Sequence, residues 1–369
     1  MSPDLLYQIA LTLVPQIGPI QARQLLMQFP LARDIFQAPR HVLKRINGIG
    51  EARAAAIKSF KDFSVAEKEL TFIEQFHIRA LSIHDTDYPK RLLHCHDAPP
   101  LLYYKGKADL NAARILSVIG TRSHSDYGRL ITEKLIADLT NPGVLIISGL
   151  AHGIDAIAHK AALKNGLPTV GVLAHGLSQV YPSQHTSLAR EIVKEGGGLL
   201  TEFMSPAMPD RHQFPARNRI VAGLSDATIV VETGVKGGSM ITAELANGYN
   251  RDVFAVPGKI TDPKSAGCNY LIRNHKAFLL TDAAALKESM NWDNAYCSGG
   301  KSNKQKQIFI ELSREEQLLV DLLQEKESMH IDEINQRSGL SNSTVAAAIL
   351  NMELQNIIFA HPGKVYSLQ

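Results

Sequence analysis

Val144-Leu-Ile-Ile-Ser148-Gly-Leu-Ala-His-Gly-Ile-Asp155-Ala-Ile-Ala-His159 decides the fold of this chain. An apolar run, Val144–Ile147, passes into small residues and then into a helical pattern. The stretch reads as a strand, a glycine loop and a helix N-terminus. Such a turn aims backbone N–H groups outward at the positive end of a helix dipole, which suits a phosphate. The G-x-G-x-x-G spacing of a dinucleotide site is missing, so the loop reads as phosphate-binding but not nicotinamide-binding.

The same rhythm continues on both sides. Strand-like runs at Ile115–Ile119, Thr169–Leu173, Leu199–Thr201, Ala227–Val231 and Val253–Val256 alternate with helical patterns at Gly128–Leu139, Ile154–Lys164, Ser187–Lys194, Arg217–Gly223 and Ser239–Asn250. The expected class is α/β: an extended Rossmann-like, doubly wound, mostly parallel sheet with glycine loops at its strand ends. Leu101–Tyr104 is a further short strand, and Lys58 to Ile78 reads as one amphipathic helix.

Both ends carry smaller modules. Leu11–Leu25 and Leu43–Ile57 share a pattern in which apolar residues lead to a glycine and then to x-x-x-Ala-Arg, pairing Gly18 and Arg23 with Gly48 and Arg53. This is a tandem helix-hairpin-helix pattern, in which Gly48, Ile49 and Gly50 would approach a DNA phosphate through the backbone. The same motif also serves as a structural or protein-binding module. At the other end, Glu315–Lys326 is a helix. Ile331–Ile334 and Ser338–Val345 form a helix, turn and helix, with Asn342 or Ser343 as cap. Ile357–Ala360 and Lys364–Ser367 then flank a turn at His361-Pro-Gly363, giving a winged helix. Its second helix, Ser343–Leu350, has no Arg or Lys, which suits protein docking or a structural role better than base reading. The expected domains are 1–65 (helical), 66–290 (Rossmann-like), a polar linker at 291–307, and 308–369 (winged helix).

Bulk composition excludes several classes. The 369 residues carry 39 Lys and Arg against 36 Asp and Glu, a net charge of +3 that fits nucleic acid without arguing for it. No apolar run approaches the ~20 residues of a membrane span, and no basic leader precedes the early Asp4, so a cytoplasmic protein is expected. Cys95, Cys268 and Cys297 are scattered, with no C-x-x-C, which argues against a zinc ribbon or a disulfide framework. His94-Cys95-His96 lacks a second ligand pair, so no metal is expected.

Four segments join the Ser148-Gly149-Leu150-Ala151 loop as site candidates. Gly120-Thr121-Arg122 follows the first strand, and Arg122 can pair bidentately with phosphate. Phe214-Pro-Ala-Arg217-Asn218-Arg219 offers phosphate and base-edge contacts, or an arginine pair bridging elements of the core. Lys236-Gly237-Gly238-Ser239 precedes a helix that Ser239 could cap, making a second anion site. Val256-Pro-Gly258 with Ser265–Ile272 reads as loop shaping. No catalytic set emerges. Asp155 and His159, four apart, read as N-terminal charge and a packed imidazole rather than an acid–base pair. Glu202 and Glu232 are isolated at strand ends, and G-x-S-x-G is missing.

Taken together, these residues resemble the DNA-processing protein A family, also called DprA or Smf. The resemblance rests on Gly120-Thr-Arg122, Ser148–Asp155 with Ala158-His159, Tyr181-Pro182, Phe214–Arg219, Gly237–Ser239 with Thr242-Ala243, Arg251, Val256–Gly258 and Gly267–Asn269. They stand in the family's order across roughly residues 85–280. The resemblance implies a non-enzymatic, cofactor-free dimer that binds single-stranded DNA, protects incoming DNA during natural transformation and loads the recombinase RecA. It places Arg122, the Ser148–Gly149 loop, Arg217, Arg219 and the Gly237–Ser239 loop along the strand, with Phe214 and Tyr181 as stacking aromatics. The chain departs from it at Ser183, Gln184 and His185, where relatives carry Lys and Asn, and at Asn274–Ala277, where a Gly-Ala pair is common. The rival is a nucleotide phosphoribohydrolase of the LOG, lysine-decarboxylase-like type, which wants Pro-Gly-Gly-x-Gly-Thr and a catalytic Glu; here the loop reads Lys236-Gly-Gly-Ser-Met240. A third reading is a duplex-DNA protein acting through its helix-hairpin-helix pair.

Overall fold

The apolar runs become the middle of one nine-stranded sheet, buried on both faces. In chain order its strands are β1 (Arg79–Ser82), β2 (Leu101–Gly106), β3 (Arg114–Ile119), β4 (Val144–Ser148), β5 (Thr169–Val172), β6 (Gly198–Thr201), β7 (Ala227–Val230), β8 (Asp252–Ala255) and β9 (Phe278–Leu279). The spatial order is β1-β2-β6-β5-β4-β3-β7-β8-β9. Neighbours from β6 across to β9 pair in parallel, while β1–β2 and β2–β6 are antiparallel. The expected mostly parallel, doubly wound sheet is therefore present, extended on one flank by an antiparallel pair. β1 and β9 lie outside the sequence expectation.

The computed structural model describes residues 4–139, 143–292, 312–326, 328–355 and 357–368. Most of the expected linker, with Cys297, lies outside the described residues. The chain divides into two compact units, Met1–Thr281 and Asp282–Gln369.

Residue 65 is no seam between units. Helices α1 (Leu5–Leu13), α2 (Pro19–Gln28), α3 (Ala32–Gln37), α4 (Arg40–Leu43), α5 (Gly50–Ser59) and α6 (Ser64–Gln75) precede the sheet. Leu5, Ile9 and Ala10 of α1 share a core with Ala66 and Ile73 of α6 and with Leu101 and Tyr103 of β2. The buried Glu69 carboxylate of α6 accepts from Ser205 N at 2.9 Å and from its Oγ at 2.6 Å, tying the helices to the loop after β6. The single helix expected over Lys58–Ile78 is two. Phe60 and Phe63 turn inward to stack with Phe36 (centroids 5.9 and 5.5 Å), and Asp62 Oδ1 accepts from Ser64 N at 2.9 Å where the second helix starts.

On the sheet's faces lie α7 (Lys90–Leu93), α8 (Asp126–Ala137), α9 (Ile154–Lys164), α10 (Thr186–Lys194), α11 (Gln213–Leu224), α12 (Gly238–Gly248) and α13 (Ala266–Arg273). α8, α9 and α10 pack together, as do α7, α11 and α12. Crossovers between parallel strands are right-handed as a rule, and with the strand order reversing at β3 that sends these two groups to opposite faces.

The second unit holds α14 (Ala283–Ser289) and the expected winged helix: α15 (Arg314–Gln324), β10 (Met329–His330), α16 (Ile331–Ser338), α17 (Asn342–Leu354), β11 (Ile358–His361) and β12 (Val365–Leu368). Its sheet order is β10-β12-β11 around a core of Leu319, Leu323, Ile334, Val345, Ile349 and Met352. Ser341, rather than Asn342 or Ser343, caps α17, its Oγ accepting from Thr344 N at 3.2 Å. α17 exposes Leu350 and Leu354.

Ile9→Ala tests the shared core. Truncating this fully buried side chain is expected to cost about 2–5 kcal/mol. Hydrogen exchange should show the β2 and β6 amides losing protection together with α1 and α6. Sheet amides that kept full protection would mean the helices fold apart from it.

Candidate nucleic-acid interface

The switch point lies between β3 and β7, which neighbour each other in the sheet but are separated in the chain by three strands. Open α/β sheets bind ligands beyond the carboxyl ends of strands at this position. Here the loops after β3, β4 and β7, with the start of α11, enclose a cleft of about 610 Å³.

The floor is held by polar bonds between loops. Thr121 N donates to Glu232 O at 2.7 Å, and Ile154 N donates to Thr121 O at 3.2 Å, which locks the β3 loop between β7 and α9. Gly153, at φ +79°, closes the turn, and a Cβ there would run into Thr121 O. Gly149 is held from both sides: its N–H donates to Asp155 Oδ2 at 3.1 Å and its carbonyl accepts from Arg217 Nη1. Arg217 Nη1 also donates to Val172 O at 2.6 Å. A Cβ on Gly149 would fall on the Arg217 guanidinium. Burial pulls Arg217 down to about 10, against the opposing pull of Asp155, and it keeps its charge at neutral pH. Burial pushes the Asp155 carboxyl up, with Arg217 opposing.

The mouth carries the groups a strand could touch. Arg122 is exposed, its guanidinium carbon 5.4 Å from the Phe214 ring centroid. Phe214 in turn lies 6.1 Å from Tyr181, ring to ring. Opposite, Gly237 is the N-cap of α12; the Gly238 and Ser239 N–H groups have no partner within the helix, while Met240 N donates to Gly237 O at 3.0 Å. Ser239 does not cap it: its Oγ donates to Thr233 Oγ1 at 2.7 Å.

The structure brings Gly120, Thr121, Arg122, Gly149, Ala151, Phe214, Arg217, Asn218, Gly237, Gly238 and Ser239 to the cleft. It turns others away. Ser148 is buried with its Oγ donating to Val118 O at 2.7 Å. The Leu150 side chain packs with Leu173, Leu188 and Ile192. Arg219 pairs with Glu202 and donates to Asp97 O, the core-bridging alternative for this arginine. Lys236 is exposed beside the cleft without lining it. Arg211, outside the sequence expectation, also lines the cleft; it stands three residues before Phe214, at the end of a polar, proline-containing loop ahead of α11. Of the divergent residues, His185 takes a structural place, its Nδ1 at 2.9 Å from Leu150 O, while Ser183 and Gln184 are exposed.

The carboxylates are engaged elsewhere. Glu232 is 1% exposed and accepts from Ser125 N at 2.9 Å and from its Oγ. Glu202 is with Arg219, and Asp155 is the only carboxylate among the described cleft residues. No hydrogen bond links Asp155 to His159 among the described residues. The Thr169 hydroxyl donates to Ile146 O, so His159 Nδ1–H must donate to Thr169 Oγ1 (2.7 Å), leaving Nε2 buried without a partner. No group of His, Cys, Asp and Glu among the described residues could hold a metal, and no helix there is long and apolar enough to cross a membrane.

In the helical hairpins, Gly48 and Gly50 are exposed at positive φ and Ile49 is buried. The paired arginines are engaged internally. Arg53 donates to Gln16 O at 3.0 Å and Gly48 O at 2.7 Å, clipping one hairpin to the other. Arg23 holds Cys95 O and Leu93 O. Glu51, in the first turn of α5, pairs with Arg40 at 2.7 Å and Lys44 at 3.8 Å.

A family model described as DNA recombination-mediator protein A matches residues 79–291, and one described as the DprA winged helix domain matches residues 307–364. The chain is similar to Protein Smf of Escherichia coli (strain K12), 32% identical over 327 residues, 87% of this chain and 86% of that protein. Its fold is similar to the X-ray structure of DNA processing protein A from Streptococcus pneumoniae (TM-score 0.66, 33% identity, 78% of this chain and 98% of that one). It is also similar to DNA processing protein A from Helicobacter pylori, a structure described for that protein's single-stranded DNA binding mode (TM-score 0.53, 30% identity, 59% of this chain and 98% of that one).

The orphaned Nε2 makes a pH prediction. Burial takes His159 from the ordinary 6.5 down to about 3, so the unfolded chain binds this proton first as pH falls. Stability is therefore whole above pH 6.5 and is lost toward pH 3, by up to about 1.4 kcal/mol per pH unit. Denaturant unfolding at stepped pH should show this slope, and His159→Gln should flatten it. An equal slope in the variant would assign the acid loss to other groups.

Proposed function

The chain belongs to the DNA recombination-mediator protein A family, and from that premise we propose that it binds single-stranded DNA in the switch-point cleft. It protects the incoming strand and loads RecA onto it during natural transformation, working in the cytoplasm as a homodimer. The observation that carries the strand-binding reading is the Arg122 guanidinium over the Phe214 ring at the mouth of a cleft lined by glycine loops. Sequence-tolerant binding of single strands needs these two elements, an aromatic face for any base and cations with N–H groups for the backbone. Arg122 and Arg211 are the cations, with Lys236 beside them. The Gly238 and Ser239 backbone N–H groups at the start of α12 are the anion donors. The Helicobacter pylori relative, whose structure is described by its single-strand binding, supports the same assignment here.

The rival hydrolase needs a carboxylate free to activate water in the cleft. Glu232 and Glu202 are engaged elsewhere, and Asp155 accepts two backbone N–H groups, from Gly149 and Ala151. Binding without bond breaking is the chemistry this cleft supports.

Fluorescence anisotropy with labelled oligo(dT) at two salt concentrations, against a duplex competitor of equal length, tests the reading. Tight, salt-sensitive binding that the duplex does not compete is expected. Arg122→Ala should flatten the slope of log affinity against log salt by about 0.7, the share of one single-strand phosphate. Phe214→Ala should cost about 1–3 kcal/mol, one base stack, with the slope unchanged. A preference for duplex would move DNA binding to the hairpins or the winged helix.

A further inference from the structure

Arg217 and Asn218 are neighbours at the cleft, but the geometry gives them different tasks. Arg217 is 5% exposed. Its Nη1 serves the carbonyls of Gly149 and Val172, and its Nε donates to Asn218 Oδ1 at 3.0 Å. A guanidinium N–H can only donate, so the Asn218 atom facing it must be the carbonyl oxygen. The other branch of that amide is therefore the NH2 group. Asn218 lines the cleft, half-buried, and its Nδ2 makes no hydrogen bond among the described residues. Phe214 and Asn218 stand four apart on α11, so they share one face, with Cβ atoms about 5–6 Å apart. A base stacked on the Phe214 ring would bring its edge toward the Asn218 amide.

We propose that Arg217 is a positioning residue that fixes Asn218 as a hydrogen-bond donor, and that this donor reads the edge of the base stacked on Phe214. The inference rests on the single-strand reading of the same cleft. A fixed donor favours a base offering a carbonyl, as thymine does. Adenine is read by asparagine through both branches of the amide, its amino group donating to the oxygen, and here that oxygen is already held by Arg217, so adenine keeps only a ring nitrogen to meet the donor. The cleft thus combines a ring that tolerates any base with one group that ranks them.

The test compares oligo(dT) with oligo(dA) of equal length on the full chain, by anisotropy at fixed salt. The native protein is expected to bind dT more tightly by about three- to tenfold, the worth of one hydrogen bond. Asn218→Ala should bring that ratio toward one with the salt slope unmoved. Asn218→Asp keeps the oxygen for Arg217 but turns the donor into an acceptor, and should shift the ratio toward dA. Arg217→Lys keeps the charge but not the bond to Oδ1, and should behave like Asn218→Ala. A thermal melt near the native one shows that this variant is folded, and the two Asn218 variants carry the test if it is not. An Asn218 variant that weakens dT and dA by the same factor, or a ratio that Asn218→Asp does not move, overturns this inference and leaves the single-strand reading standing. No binding of either oligomer by the native protein overturns that reading and this inference with it.

Discussion

Gly149 is the peptide on which the cleft depends. Its N–H is held by Asp155 of α9 and its carbonyl by Arg217 of α11, helices from opposite faces of the sheet. Arg217 reaches on to Val172 O at the end of β5. One buried guanidinium and one buried carboxyl thus join two strand ends and both helix layers beneath the cleft. A buried polar or charged group is costly unless it is hydrogen-bonded, and here each is met by main-chain partners. The arrangement explains why residue 149 is glycine: any side chain would occupy the space of the guanidinium.

The sheet and its loops were legible because they rest on local signals: unbroken apolar runs, small residues at strand ends, and polar stretches that begin helices. What was not legible depends on partners distant in the chain. Arg79–Ser82 is short and starts with a charge, and it is a strand because β2 lies beside it. Phe278–Leu279 is two residues long and borrows its geometry from β8. The break at 60–63 is set by Phe36, a residue no local window includes. Ser148 and Leu150 belong to the loop by sequence but to the interior by packing. The split between Arg217 and Arg219 did have a signal. Two residues of helix turn a side chain through about 200°, so the pair could not face one ligand together.

The terminal modules show how a motif can keep its pattern while its side chains are engaged within the fold. The Ala-Arg dipeptides that mark the two hairpins supply Arg23 and Arg53, and both donate to backbone carbonyls within the first unit. The acid in the first turn of α5 meets nearby cations. In the winged helix, α17 has the shape of a recognition helix, but it carries no Lys or Arg and its surface is partly apolar. Shape and charge are separate requirements for gripping a nucleic acid, and these motifs have the shape while their marker arginines are engaged within the fold.

The strand order also governs when the cleft can exist. β3 pairs with β7, and the Ser117 hydroxyl reaches a threonine 111 residues further along the chain. β2 likewise waits for β6. A polypeptide emerging from the ribosome has made the Arg122 and Gly149 loops long before the wall that faces them is translated. Until β7 arrives, those loops have no partner for Thr121 N and no α12 opposite. The nascent chain therefore carries these loops in an unassembled form, and the cleft comes into being only once β7 and α12 have been made.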